Sequence, residues 1–335
     1  MIELNKQNLS TWSRLGMRKA FGLMMEEIAP DYPDLIVLAA DVADSANLNS
    51  FSKQFPEQFY NIGIAEQNMT AIACGLAHEY NNVFICSFAP FVSMRNYEAV
   101  RSLIGYMNLN VKIIALSSGM SLGVQGSTHY GLEDISLMRT IPNMMVLSPT
   151  DVVEEAECIS YLADYNGPAY LRLTGIDGIP PLFDENHKWS LYQPAEIREG
   201  DQVAMISTGS VTYECLRATR ALKKEGISCA LISMCCLNPI DTAGILDIIN
   251  RFRIIFTVEE HFKKGGLGDI ISEIVAESGI ECRLVKMGID NGFPHPGDYS
   301  YMLDSNFLSA SHIKECVSRN MTYFFDKESV DEAGG

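Results

Sequence analysis

The chain has 335 residues, 47% hydrophobic and 20% charged, a size for two ordinary domains and a composition for well-packed cores rather than disorder. A formal net charge of −17 argues against nucleic acid or an anionic membrane as partner, yet leaves room for a phosphate in a local basic pocket. No stretch approaches the ~18 apolar residues of a membrane span and no signal-peptide core follows the N-terminus, so a cytoplasmic protein is expected.

In chain order, short apolar runs alternate with longer amphipathic ones, which predicts an α/β protein whose sheets are mostly parallel and flanked by helices. A helix is expected over 14–29, ending at Pro30, and then a buried strand over 35–40 that stops at Asp41. Residues 65–77 read as a helix rich in small residues, suited to close packing against another helix or subunit. A strand over 83–86, a helix over 91–106 and a strand over 111–116 follow. The glycine-punctuated stretch 117–131 is too long for a plain strand-to-helix connection, and long loops at the carboxyl ends of parallel strands are where open α/β sheets hold ligands. Strands over 144–147 and 169–173 complete a first domain, set at 1–185. Residues 175–194, with Gly178 and Pro180-Pro181, form the expected linker. The alternation then restarts in a second domain, 195–335, with strands over 203–206, 228–233, 253–258 and 282–287. Nine cysteines scattered through apolar segments without a C-x-x-C pattern point to buried reduced thiols rather than disulfides or zinc.

Three segments stand out chemically. Glu66 lies at a helix start within Gly63-Ile64-Ala65-Glu66-Gln67-Asn68. A carboxylate there is common on its own, because the helix dipole favours it. Ser87-Phe88-Ala89-Pro90-Phe91-Val92 follows a buried strand and sets two aromatics three residues apart. Gly126-Ser127-Thr128-His129 presents a histidine among small residues on the long loop.

With Arg18-Lys19, Ala40-Asp41, Leu132-Glu133-Asp134-Ile135, Arg139-Thr140-Ile141-Pro142-Asn143, Pro149-Thr150-Asp151, Gly167-Pro168 and Thr257-Val258-Glu259-Glu260-His261, these segments run in order along nearly the whole chain. Together they resemble the thiamine-diphosphate enzymes of the transketolase and deoxyxylulose-phosphate synthase group, and most closely the C-terminal subunit of two-chain transketolases. The resemblance implies a pyrimidine-binding domain followed by a transketolase C-terminal-like domain. It implies that Glu66 bonds to the cofactor's pyrimidine nitrogen from a dry pocket that raises its pKa. Phe91 would stack on that ring, with Phe88, Met94 and Asp41 also contacting the cofactor. His129 would move protons on sugar hydroxyls.

The group's Gly-Asp-Gly motif, which holds the diphosphate and its Mg²⁺, does not occur in these residues. The resemblance therefore implies a partner chain that carries the motif and binds the Mg²⁺, no metal ligands here, and an α2β2 assembly. Arg18, Ser45, Gln125, His129 and Arg172 are the expected substrate contacts for a sugar phosphate or an unusual sugar. Gln125 stands for an aspartate of the group, Tyr130 for a glutamine and Ser117 for a histidine. Trading a charged hydroxyl partner for an amide weakens the bond by about 1–2 kcal/mol, which points to an altered substrate. Two related layouts compete: the β subunit of a 2-oxo-acid dehydrogenase E1 component, and a deoxyxylulose-phosphate synthase-like carboligase. The Gly126 to Asn143 region favours transketolase over the first, and the missing diphosphate motif counts against the second. A scaffold that only supports its partner is disfavoured by Glu66, Phe91 and His129 occurring together.

Overall fold

The computed structural model describes residues 2–79, 82–290 and 292–333, with side chains as far as 323. The outer limits set for the two domains, residues 1 and 335, lie outside the described residues. Strands β1 (Leu35–Ala39), β2 (Phe59–Asn61), β3 (Asn82–Phe88), β4 (Val111–Leu116), β5 (Met145–Leu147) and β6 (Ala169–Arg172) build a parallel sheet. Strands β7 (Ala195–Arg198), β8 (Val203–Ser207), β9 (Cys229–Ser233), β11 (Ile254–Phe262) and β12 (Arg283–Ile289) build a second, in the order β12-β11-β8-β9-β7. Among the described residues, only β7 runs antiparallel in it. Helices flank both sheets, so the fold predicted from the alternation is the fold observed. The strand sequences are continuous apolar runs because both faces of such a sheet are covered; every residue of β1, β4 and β8 is buried.

One strand crosses over. The short strand β10 (Cys236–Asn238), from the C-terminal half, pairs antiparallel with β5 and extends the first sheet to the order β10-β5-β6-β4-β3-β1-β2. The apolar core crosses too. A single cluster runs from Leu38, Ile85 and Ile113 through Ile135 and Met138 to Ile206, Ile232 and Ile255. The expected helix over 14–29 is instead two, Lys6–Leu15 and Met17–Ile28. They break at Gly16, whose φ is 73° and whose missing Cβ lets the carbonyl oxygen of Ile176 approach to 3.0 Å of the Cβ position. The expected helix over 91–106 contains two turns of π-helix, Phe91–Arg95 and Val100–Gly105. Among the described residues, no helix is long and apolar enough to cross a membrane.

Asp151 ties the connection between the halves to the first of them. One carboxylate oxygen caps the helix Val152–Asp164 through the amides of Val153 and Glu154, and the other accepts from Leu182 and Phe183 at 2.6 and 3.0 Å. Beside it Glu154 is buried and accepts from the Thr150 amide at 2.7 Å. Burial, helped by the nearby Asp151 charge, pushes its pKa up to about 7. An unfolded glutamate releases its proton near pH ~4.3, so the native chain then holds a proton the unfolded chain has lost. This contribution to stability is present at low pH and is lost as pH rises through about 7. Glu154→Gln, which keeps the acceptor for Thr150, should change the melting temperature little at pH 5 and raise it above the unsubstituted chain's by a margin that grows toward pH 8. A margin independent of pH would show that Glu154 titrates normally.

Candidate active site

The carboxyl ends of the parallel strands form one edge of the first sheet, and the segments singled out by sequence meet there. Beyond β2 the chain turns at Gly63, with a φ of 77°. Asn61 holds this turn: its Oδ1 accepts from the amides of Gly63 and Asp41 at 3.0 and 3.1 Å. The helix Glu66–Leu76 starts at once, without a side-chain cap, and Glu66 as its first residue is 2% exposed. Its carboxylate takes a 2.8 Å ion pair from Arg95 Nη1 and a 3.4 Å contact from Ser87 Oγ at the end of β3. The positive end of the helix dipole supports the same charge. Asn96 braces the site from below. Oriented so that its nitrogen donates to the carbonyls of Phe91 and Val92, its amide oxygen accepts from Thr70 Oγ1 at 2.6 Å.

Phe88, Phe91 and His129 form an aromatic wall beside this carboxylate. The Phe88 and Phe91 rings are 6.4 Å apart and edge-on, and the His129 ring lies edge-on to both, at 6.4 and 5.4 Å. The Arg95 guanidinium sits 4.2 Å above the Phe91 ring. His129 is held by a fixed loop rather than a loose one. Gly119 and Gly131 exchange backbone hydrogen bonds of 3.0 and 3.1 Å, Met120 N donates to Glu260 at 3.2 Å, and Ser127 Oγ donates to the Pro294 carbonyl at 3.3 Å. His129 Nδ1 is engaged by Thr128 Oγ1 at 3.0 Å, so proton transfer to a ligand would fall to Nε2.

Comparison with known proteins decides the family. Residues 13–176 match the transketolase pyrimidine-binding domain and residues 192–313 the transketolase C-terminal domain. A protein of Methanocaldococcus jannaschii, provisionally named a transketolase C-terminal section, is 36% identical over 310 residues, 91% of this chain and 96% of its own length. One subunit of the apulose-4-phosphate transketolase of Actinobacillus succinogenes is 33% identical, over 84% of this chain and 90% of that one. The solved structure of a split-gene transketolase, titled an inactive beta4 tetramer, superposes with a TM-score of 0.82 at 32% identity, covering 92% of this chain and 98% of that chain. The chain belongs to the transketolase family. It is thus a member of a family of transferases that depend on thiamine diphosphate.

Within this transketolase fold most of the expected site residues share the same edge. Met94, 38% exposed, follows Phe91 on the π-helical turn. Asp41 is exposed just beyond β1, with a φ of 59° and its carboxylate 3.3 Å from Asn61 Nδ2. Ser45 is half-buried on the turn that follows. Arg18 reaches across the sheet edge to Ser117, its Nη1 3.5 Å from the hydroxyl. Gln125 is exposed on the loop that carries His129.

Two expectations are corrected. Arg172 is not available to substrate: it is fully buried, its single Nε–H is shared between the two carboxylate oxygens of Asp134 at 2.9 and 3.1 Å, and its Nη2 donates to the carbonyls of Gly131 and Glu260 at 3.0 and 2.7 Å. Tyr130 likewise points into the core, with its hydroxyl on the Gly123 carbonyl at 2.7 Å, so its difference from a glutamine is one of packing rather than substrate contact. Glu66 is buried, but its surroundings are not neutral, because they hold Arg95, a residue the motifs did not bring forward. Its position four residues after Phe91 was the available signal, since residues so spaced lie over one another on a helix. Leaving Asp134 buried without its cation should be costly. Arg172→Ala should lower the stability of the isolated chain by about 3–5 kcal/mol, read as the shift of a urea midpoint with no substrate present. A shift below about 1 kcal/mol would return Arg172 to the exposed, functional class.

Proposed function

We propose that this chain is the pyrimidine-side subunit of a two-chain transketolase that moves a two-carbon ketol unit between sugars or sugar phosphates. The observation that carries the reading is the joint placement of a buried Glu66 carboxylate and the Phe91 ring around one planar, hydrogen-bonding group. In the structure that group is the Arg95 guanidinium. The cleft therefore fits a flat heterocycle with a nitrogen directed at a carboxylate, which is what an aminopyrimidine offers. Glu66, Phe88, Phe91, Met94 and Asp41 would hold it. Thiamine diphosphate, when bound, supplies the carbon nucleophile that the protein side chains lack.

The remaining work belongs to this chain's residues. Glu66 shares a proton with the pyrimidine nitrogen from a buried position. Phe91 fixes the plane of the ring, and Phe88 keeps water from its edge. Nε2 of His129, on a loop anchored at Met120 and Ser127, takes and returns the proton of a sugar hydroxyl. Arg18, with Ser45 and Gln125, meets the hydroxyl or phosphate end of the substrate, and the cation of Arg18 supports a phosphate in an otherwise acidic protein.

The diphosphate and Mg²⁺ belong, in this reading, to a partner subunit with the Gly-Asp-Gly motif in a cytoplasmic α2β2 complex. The absence of that motif from these residues supports this, as do the relatives named as a subunit or a C-terminal section. The relative named for apulose-4-phosphate supports a sugar phosphate among the substrates. Mixed with such a partner, thiamine diphosphate and Mg²⁺, the chain should catalyse ketol transfer and show no turnover alone. Decarboxylation of a 2-oxo acid without ketol transfer would instead favour a dehydrogenase E1 subunit. Glu66→Gln should reduce kcat by about 100-fold or more while the complex still assembles. Near-normal turnover would remove Glu66 from the mechanism.

A further inference from the structure

Arg95 meets three conditions at once. Its guanidinium lies 4.2 Å over the Phe91 ring, pairs with the Glu66 carboxylate at 2.8 Å, and leaves its side chain 45% exposed. A guanidinium is planar, delocalised and a donor in its own plane, so it stacks on an aromatic face and bonds to a carboxylate simultaneously. An aminopyrimidine satisfies the same two contacts with the same shape. One planar group at a time can lie on this face of Phe91 and bond to Glu66 Oε2, the positions that Arg95 takes.

The backbone explains why Arg95 is there. Phe91–Arg95 is a π-helical turn. On such a turn, as on an ordinary helix, residues four apart share one face, which lets the guanidinium of Arg95 lie over the ring of Phe91. The backbone of this turn is pinned independently of the side chain. Gln67 Nε2 donates to the Arg95 carbonyl at 3.0 Å, and Asn96 binds the carbonyls of Phe91 and Val92. The half-exposed side chain can therefore leave for solvent without unpacking the core.

We propose that Arg95 is a resident occupant of the pyrimidine position, which neutralises the buried Glu66 in the empty subunit and which the cofactor must displace. The proposal rests on the thiamine diphosphate reading of this site. The consequence is a self-imposed weakening of cofactor binding, because only molecules with Arg95 swung out are competent. If Arg95 occupies the position in about nine molecules of ten, apparent affinity falls about tenfold.

The test measures thiamine diphosphate binding, at fixed Mg²⁺, to this chain in complex with its partner subunit, with calorimetry rather than turnover as the readout. Arg95→Gln should bind about tenfold more tightly than the unsubstituted complex, and its isolated chain should melt at a lower temperature because Glu66 has lost its cation. Equal or weaker binding by Arg95→Gln, in a complex that does bind the cofactor, overturns the proposal; weaker binding would make Arg95 a cofactor-holding residue instead. Binding by neither complex contradicts the thiamine reading itself and this proposal with it. Should Arg95→Gln fail to fold, Arg95→Lys keeps a point charge for Glu66 but no plane to stack. Tighter binding by Arg95→Lys supports displacement, and unchanged or weaker binding overturns it.

Discussion

The ion pair of Arg172 and Asp134 lies where the two sheets meet, and neither side chain is exposed to solvent. Desolvating two charges costs several kcal/mol each, and the cost is recovered only where geometry and further hydrogen bonds are good. Here they are good. Arg172 closes β6 and reaches the carbonyls of Gly131 and Glu260, while Asp134 also accepts from Tyr170 at 2.9 Å. Glu260 continues the network by receiving Met120 N, Ser210 Oγ and the Tyr299 hydroxyl. The segment between Met120 and Gly131 is thereby fixed at both ends, to the first sheet and to β11 of the second. His129 stands on that segment. A knot in the interior thus decides where an imidazole is displayed at the edge.

The edge itself follows another logic. Glu66 is buried and charged, and Phe91 beside it offers an aromatic face, so the pair calls for a planar cation or a planar donor. Arg95 fills that need from within the chain, and a cofactor ring would fill it from outside. Ile64, 76% exposed next to Glu66, and the small residues of the helix Glu66–Leu76 leave this side open rather than closed over by the chain's own core. In the proposed reading, a partner chain closes this open side.

Much of this was legible in the sequence. The long strands are continuous apolar runs whose periodicity needs no partner to read, and Glu66, Phe88, Phe91 and His129 stand in local motifs that survive folding unchanged. What escaped depended on contacts distant in sequence or on backbone subtleties. The strand β10 joins a sheet built from the other half of the chain, and its three residues carry no pattern of their own. Arg172 looked free because its partner Asp134 is 38 residues away and belongs to another element. Tyr130 looked like a neighbour of His129, yet the 3₁₀ turn at 127–129 sends consecutive side chains in different directions. Arg95 escaped because its i,i+4 spacing from Phe91 shows a shared helix face, but not that this face carries a buried carboxylate from another helix.

The most direct measurement is a crystal structure of this chain with its partner subunit, thiamine diphosphate and Mg²⁺. The account predicts the pyrimidine ring stacked on Phe91, with a ring nitrogen about 2.6–3.2 Å from the Glu66 carboxylate. A pyrimidine ring bound away from both residues would contradict it.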